Sequence, residues 1–584
     1  MDPLATPSGA LDITALVEVR QALVLDADDE SVLVGSNVPG TQQLYRLRDG
    51  ALEQLTDFEE PVEGLLFPDG RVLVAMDEGG NERTQLYVLD GEARPLVVDP
   101  EFIHWTPQVS RDGRLLAYAS NRRNGRDFDV FVRDLESGEE RCVFEDGLNE
   151  VASFSPGARQ LAVQRWTDRS GDRELWLVDL ETGSAEEVLP HEDDAYVLAP
   201  AWLDDERFLV ASNVDRDVVA IMRPPDGDVV LESDWDLQCW ADPAGRTLLV
   251  EANEDGYSRL ELRDPETLAL RGEVPLPGRG VVEHPVFGAR LFFGFSSPVE
   301  PWNVWAHDGD GLERLTSIEA PPGLREPALH RFESFDGLSV PVFLWEPEGE
   351  GPFPVVIMIH GGPESQFRPE WLPSFTPLTQ HLVSRGYAVA APNVRGSTGY
   401  GKRYEHLDDG RLRLDSVRDL AALHEWLSAR PRIDGSRAVL YGRSYGGYMT
   451  LAGLAFQPER WAAGIESVGI SNLVTFLENT SEWRRAVRER EYGWLDRDRD
   501  FLEQASPLNH VDAIRAPLFI QHGANDARVP LSETQQIHRV LTEKGIRCEL
   551  LVFEDEGHMI GKLGNRVETF ERATAFLDEV LGGA

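Results

Sequence analysis

Ser444 stands between two glycines in "LYGRSYGGYM", residues 440 to 449, where an apolar run gives way to small and then aromatic residues. A serine hydroxyl is a weak nucleophile at neutral pH, and it reacts only when a base takes its proton and an acid holds that base in one tautomer. Two later stretches offer such partners. "LFIQHGANDARVP" carries Asp526 and "LLVFEDEGHMI" carries His558, each just after an apolar run. The order Ser, Asp, His suits acyl transfer through an acyl-enzyme, with Asp526 on Nδ1 of His558 and Nε2 facing Ser444. On this reading the rate rises as His558 loses its proton, at a pKa of roughly 6 to 7. The oxyanion of the intermediate needs two donors: the Tyr445 N–H, just after the nucleophile, and an amide of "HGGP", for which Gly362 is the expected donor. Competing groups are weaker. His360 and His522 precede the glycines that begin their loops, Asp555 and Glu556 stand too near His558 in sequence, and Glu554 reads as a strand-end surface residue.

These groups need a frame. "AVLYG" reads as a strand and "GYMTLAGLAF" as a helix, so G-R-S-Y-G is the sharp turn between them, with Gly442 and Gly446 demanded by its tightness. The runs "PVVIMIH", "YAVAAPNVRG", "AGIESVG", "APLFIQHG" and "RCELLVFEDEG" have the composition of strands buried on both faces. Helical stretches such as "LDSVRDLAALHEWLSARP" and "SETQQIHRVLTEKG" lie between them. That alternation predicts an α/β-hydrolase domain over 323–584, a doubly wound, mostly parallel sheet.

The first half follows another grammar. Tyr45, Tyr87, Phe131, Trp176, Ala220, Glu261 and Trp305 mark equivalent positions at intervals of 41 to 45 residues, each inside a unit read as three short alternating strands. Such a period predicts a seven-bladed β-propeller over 21–322. Residues 1–20 form an N-terminal extension expected to pack back on the hydrolase domain. Two domains also suit a length of 584 residues, too long for one core.

Composition narrows the partners. With 102 acidic and 56 basic residues the formal charge is −46, and Lys402, Lys544 and Lys562 are the only lysines, so nucleic acid is not an expected partner. The acidity reads either as a solvated surface from an arginine-favouring genome or as adaptation to high salt. No uncharged apolar run reaches the ~18 residues of a membrane span, and "MDPLATPSGALDITALVEVR" lacks a basic start before an apolar core. A cytoplasmic protein is expected. Cys142, Cys239 and Cys548, odd in number and far apart, read as reduced thiols, and no metal or other cofactor is implied.

"MIHGGPESQF", "PNVRGSTGYGKRY", "GRSYGGYMT", "HGANDARVP" and "DEGHMI" closely resemble the catalytic domain of the prolyl oligopeptidase family, and the order of a propeller before a hydrolase is similar too. The resemblance implies serine hydrolysis of short peptides under a capping propeller. It looks most like the acylaminoacyl peptidase branch, which releases N-acylated residues from blocked peptides, although Arg443 occupies a variable place in the motif. The dipeptidyl branch implies a glutamate pair for a free amine. Glu59-Glu60, Glu139-Glu140 and Glu186-Glu187 read instead as solvated turn residues. Arg528 is a candidate for a substrate carbonyl or carboxylate, or for a salt bridge. Tyr445, Phe367, Ile470, Leu473 and Phe476 are candidates for an apolar specificity pocket or for core packing. "EWRRAVREREYGW" concentrates arginine near the expected mouth, either to attract acyl or carboxylate ends or to balance acidic surroundings. A dipeptidyl peptidase or oligopeptidase, a carboxylesterase, and a binding protein with an idle hydrolase remain as alternatives, and a homo-oligomer is compatible with all of them.

Overall fold

Valine, leucine and aromatic residues recur along residues 22–314, and in the computed structural model every repeat folds as four antiparallel strands. The structure describes residues 10–309 and 311–582. Seven four-stranded sheets cover 22–54, 62–97, 104–144, 148–188, 201–231, 237–273 and 281–314, and they form blades 1 to 7 of a β-propeller. Tyr45, Tyr87, Phe131, Trp176, Ala220, Glu261 and Trp305 all lie on the third strand of their blades. After that strand, blades 3, 4 and 6 use the same reversal. Asp134, Asp179 and Asp264 each accept from the amide three residues on, at 2.9, 2.7 and 2.9 Å. A carboxylate standing in for a backbone acceptor fixes such a turn.

The expected three strands per repeat become four. The additional strand is the first of each blade, short or mixed in polarity because it borders the central channel. Ala201–Trp202 is two residues long, and His104–Val109 mixes buried and half-buried positions. Blade 7 closes on blade 1 mainly through side chains, with Phe292, Val304 and Ala306 packed on Ala22, Val24, Val32 and Val34, and the Ala289 N–H donates to Asp28 O at 3.4 Å between their turns. Each blade keeps its own four strands.

The second half holds one eight-stranded sheet, whose strands are β1 (Ala328–Glu333), β2 (Ser339–Trp345), β3 (Phe353–Ile359), β4 (Ala388–Pro392), β5 (Ile433–Arg443), β6 (Ala463–Ser467), β7 (Leu518–Gly523) and β8 (Cys548–Phe553). Their order is β1-β2-β4-β3-β5-β6-β7-β8, with β1, β2 and β4 paired antiparallel and the rest parallel. Val355, Ile357 and Ile359 face one core while Val356 and Met358 face another, so both sides of the sheet are covered. That is why these strands read as unbroken apolar runs.

Helix α1 (Ile13–Val17) lies against the hydrolase half. Ile13 and Val17 share a core with Leu378, Leu382 and Phe576. The Leu11 N–H donates to Ser384 Oγ at 2.9 Å, and His381 Nδ1 donates to the Leu11 carbonyl at 2.7 Å. Leu16 meets Trp302 of blade 7 and Trp371 of the hydrolase half. Residues 1–9 of the extension lie outside the described residues. Cys142, Cys239 and Cys548 are all free thiols, and no helix among the described residues is long and apolar enough to cross a membrane.

Candidate active site

Strand β5 lies between β3 and β6, and helix α2 (Tyr445–Phe456) begins two residues after it ends. Ser444 fills the joint at φ 59° and ψ −118°, a region that costs a non-glycine residue about 1–3 kcal/mol. The surroundings impose it. A Cβ on Gly442 would lie 2.1 Å from the Gly446 carbonyl oxygen, and one on Gly446 would lie 2.2 Å from that of Ile359. The Ser444 N–H donates to Ser467 O at 2.9 Å, which pins the turn to β6.

Asp526 follows β7 and His558 follows β8. The Asp526 carboxylate accepts from Arg528 N at 2.8 Å and Val529 N at 2.9 Å on one oxygen, and from His558 Nδ1 at 2.7 Å on the other. With Nδ1–H donated, Nε2 carries the lone pair a general base needs. Burial would raise the Asp526 carboxyl, but the His558 ring outweighs it and holds the group below the usual carboxylate range. Burial pushes His558 down to about 4 against the pull of Asp526, and Arg443 and Arg528 push the same way. The pair therefore rests as carboxylate and neutral imidazole at neutral pH. Arg443 and Met559, the sequence neighbours of Ser444 and His558, touch through the guanidinium and the thioether sulfur. Among the described residues the Ser444 hydroxyl makes no hydrogen bond, the loose state usual before substrate tightens a catalytic contact.

The competing side chains hold loops. His360 sets its ring nitrogens 2.7 Å from Gly361 O and 2.9 Å from Ser397 Oγ, while those of His522 lie 2.6 Å from Thr534 Oγ1 and 3.0 Å from Val529 O. Glu556 accepts from Gly561 N and Lys562 N, both at 2.9 Å, and Asp555 pairs with Lys562 at 2.9 Å. Around the hydroxyl, the Tyr445 N–H is the first amide of α2 and has no partner within the helix. The HGGP turn abuts Ser444: a Cβ on Gly361 would lie 3.4 Å from Ser444 Cβ, and Gly362 adopts φ 128° beside it.

A family model described as the prolyl oligopeptidase family matches residues 373–584. Dipeptidyl aminopeptidase BIII of Pseudoxanthomonas mexicana is 34% identical over 555 residues, covering 88% of this chain and 79% of that one. The chain belongs to the prolyl oligopeptidase family. It is a serine peptidase of that family, similar also to the acylamino-acid-releasing enzyme of Sus scrofa, at 26% identity over 44% of this chain and 36% of that one. A puromycin-hydrolysing peptidase of Mycobacterium tuberculosis shares the fold, with a TM-score of 0.87 at 22% identity, over 99% of this chain and 97% of that one.

Within this prolyl oligopeptidase-family chain the candidate pocket residues divide. Ile470, Leu473 and Phe476 are buried in one cluster with Tyr445, and the rings of Phe476 and Tyr445 stand 6.0 and 6.2 Å from that of Tyr492. Phe367 is a correction. Its ring lies in the core behind the sheet, 5.5 Å from Phe343 and 5.9 Å from Trp345, because its amide is tied to Asn393 Oδ1 at 2.7 Å. Arg528 takes the salt-bridge alternative, with Nε donating to Glu82 of blade 2. Beneath α2, the Tyr445 hydroxyl donates to Asp408 at 2.8 Å, and the fully buried Arg413 bridges Asp408 and Glu491. Their separation along the chain gave no signal of this network.

A cavity of about 650 Å³ opens between the propeller and the hydrolase half, reaching the HGGP turn at Glu364. Trp105, Trp166, Trp240, Tyr196 and Trp483 wall it, together with several carboxylates. Burial, reinforced by Glu491, raises the Glu364 carboxyl, and burial raises Glu405 to about 8. Glu150 and Glu283 face the same space from blades 4 and 7. The glutamate pairs Glu59-Glu60, Glu139-Glu140 and Glu186-Glu187 do not line it. Glu140 accepts instead from Tyr118 at 2.6 Å and Arg122 at 2.5 Å on an outer strand.

Proposed function

We propose that this chain cleaves short peptides bearing a free N-terminal amine, releasing a dipeptide through an acyl-enzyme on Ser444. The observation that carries the reading is the cavity that reaches the HGGP turn, where Glu364, Glu150 and Glu283 face an incoming ammonium group and Glu405, pushed up to about 8 by burial, can ionise in answer to it. Asp526 orients His558, whose Nε2 takes the Ser444 proton as Oγ attacks the scissile carbonyl. The oxyanion receives the amides of Tyr445 and Gly362. His558 returns the proton to the leaving amine, and water repeats the sequence to free the acyl product. The division of labour follows the chain: 1–20 as a strap, 21–322 as a filter that admits peptides and excludes folded chains, and 323–584 as the catalytic unit.

A second reading, release of N-acylated residues, draws on the likeness of part of the chain to the acylamino-acid-releasing enzyme. Side-by-side rates on acetyl-blocked and free-amino dipeptidyl chromogenic substrates separate the two. Faster release from the free amine is expected, and a reversal in favour of the acetylated substrate selects the second reading. In either case Ser444→Ala lowers kcat by a factor of about 10⁴ to 10⁶.

A further inference from the structure

Helix α3 (Glu482–Tyr492) enters the interface by its first turn, where Trp483 stands edge-on to Trp105 and Phe128 of blade 3 at 5.5 and 5.6 Å between ring centres. That wedge fixes the next residue, Arg484, on the cavity wall. Its guanidinium carbon lies 5.2 Å from the Trp483 ring, and among the described residues no hydrogen bond or ion pair reaches it. The two carboxylates that act most on it, Glu82 and Asp526, are engaged elsewhere. Glu82 is held by Arg528, and Asp526 by His558 and two backbone amides. The neighbouring cation Arg488 keeps a contact with Glu364 at 3.7 Å.

Arg443, the residue before Ser444, is similarly spare, donating only to the Met559 sulfur. Burial lowers both guanidinium pKa values, Arg484 to about 9 and Arg443 to about 10, so each remains charged at neutral pH. In a chain of formal charge −46, carboxylates are not scarce. A half-buried guanidinium left without one is costly unless an anion arrives from outside.

From this geometry we infer that Arg484 is a specificity residue that binds a carboxylate carried by the peptide substrate, either its C-terminus or an acidic side chain near the scissile bond. The inference rests on the peptidase reading above and adds the second end of the substrate to it. A planar guanidinium engages a carboxylate through paired hydrogen bonds, which a neutral amide cannot reproduce.

The test compares kcat/KM on matched peptides. One pair differs only in a free or amidated C-terminus, and a second, amidated pair differs in Glu or Gln at each position flanking the scissile bond, so the two sources of carboxylate are told apart. The wild-type enzyme is expected to favour a carboxylate-bearing member on the order of tenfold, Arg484→Gln to bring the ratio near one, and Arg484→Lys to keep part of it. Equal ratios in the wild type and Arg484→Gln, or no preference in the wild type, overturn the inference. Because the ratio is taken within whichever N-terminal class is cleaved, it survives a wrong choice between free-amine and acylated substrates. The same pairs titrated into Ser444→Ala, with and without Arg484→Gln, give the ratio as binding even if no peptide turns over. Thermal melts of each variant separate loss of the site from loss of fold.

Discussion

Asp526 and His558 sit where two opposing forces meet, and their sum sets the working pH range. Burial and the nearby Arg443 and Arg528 favour the neutral imidazole more strongly than Asp526 favours the imidazolium, leaving the His558 pKa at about 4. A base acts only when unprotonated, so activity persists above that value and falls as pH drops through it. We expect the acid limb of kcat/KM near pH 4 rather than at the 6 to 7 of an ordinary histidine, measured on a substrate with no titrating group of its own. A limb between 6 and 7 would show His558 to be better solvated or more strongly paired with Asp526. The strand-end positions of the proposed triad, Ser444, Asp526 and His558, were legible in the sequence because each follows an apolar run that can only be a buried strand. Phe367 was not, since nothing in "PESQFRP" distinguishes a ring facing the cavity from one turned behind the sheet. The cavity carboxylates were illegible for another reason: they form no contiguous pair, since Glu150, Glu283, Glu364 and Glu405 come from separate elements and meet only in the fold.

At the level of elements, the loop of blade 2 between its second and third strands clasps both catalytic loops. The Asn525 side chain donates to Gly79 O at 3.0 Å, Glu82 holds Arg528, and Gly80 meets Gly557, the residue before His558. A Cβ on Gly80 would lie 2.7 Å from Gly557 N. Gly80→Ala should therefore displace the histidine loop and lower kcat by roughly 10- to 100-fold, since a misplacement of about 1 Å can cost on the order of 10²-fold. Gly91, with the same φ of 73° in the same blade and nothing within 4 Å of an added Cβ, is the control for backbone strain alone. Equal activity in the Gly80→Ala and Gly91→Ala enzymes would remove the coupling. The blades themselves were readable from the recurring strand that carries Tyr45, Tyr87, Phe131, Trp176, Ala220, Glu261 and Trp305. The first strands were not, because bordering the channel relieves them of the strict alternation that a two-sided core enforces.

Across the whole molecule the dominant quantity is charge. A formal −46 on 584 residues means mutual repulsion that dissolved ions screen, and the many surface arginine–carboxylate pairs neutralise only part of it. The melting temperature should rise between about 0.05 and 1 M potassium chloride, where the screening length shrinks from beyond ~10 Å to ~3 Å. An unchanged or falling melting temperature would leave the acidic composition without a role in salt tolerance. The ring of blades has a beginning, at residue 22, and an end, at residue 314. Because blade 7 meets blade 1 by side-chain packing while each blade owns its four strands, no sheet is shared across the joint. The circle is then a line bent until its ends touch, and its closure is a matter of packed side chains and a turn-to-turn contact rather than of a shared ladder. A permuted gene that opened the ring between two other blades and joined residue 314 to residue 22 would break no ladder, so where the propeller starts in the chain is set by how it must be tethered to the hydrolase, not by how it folds.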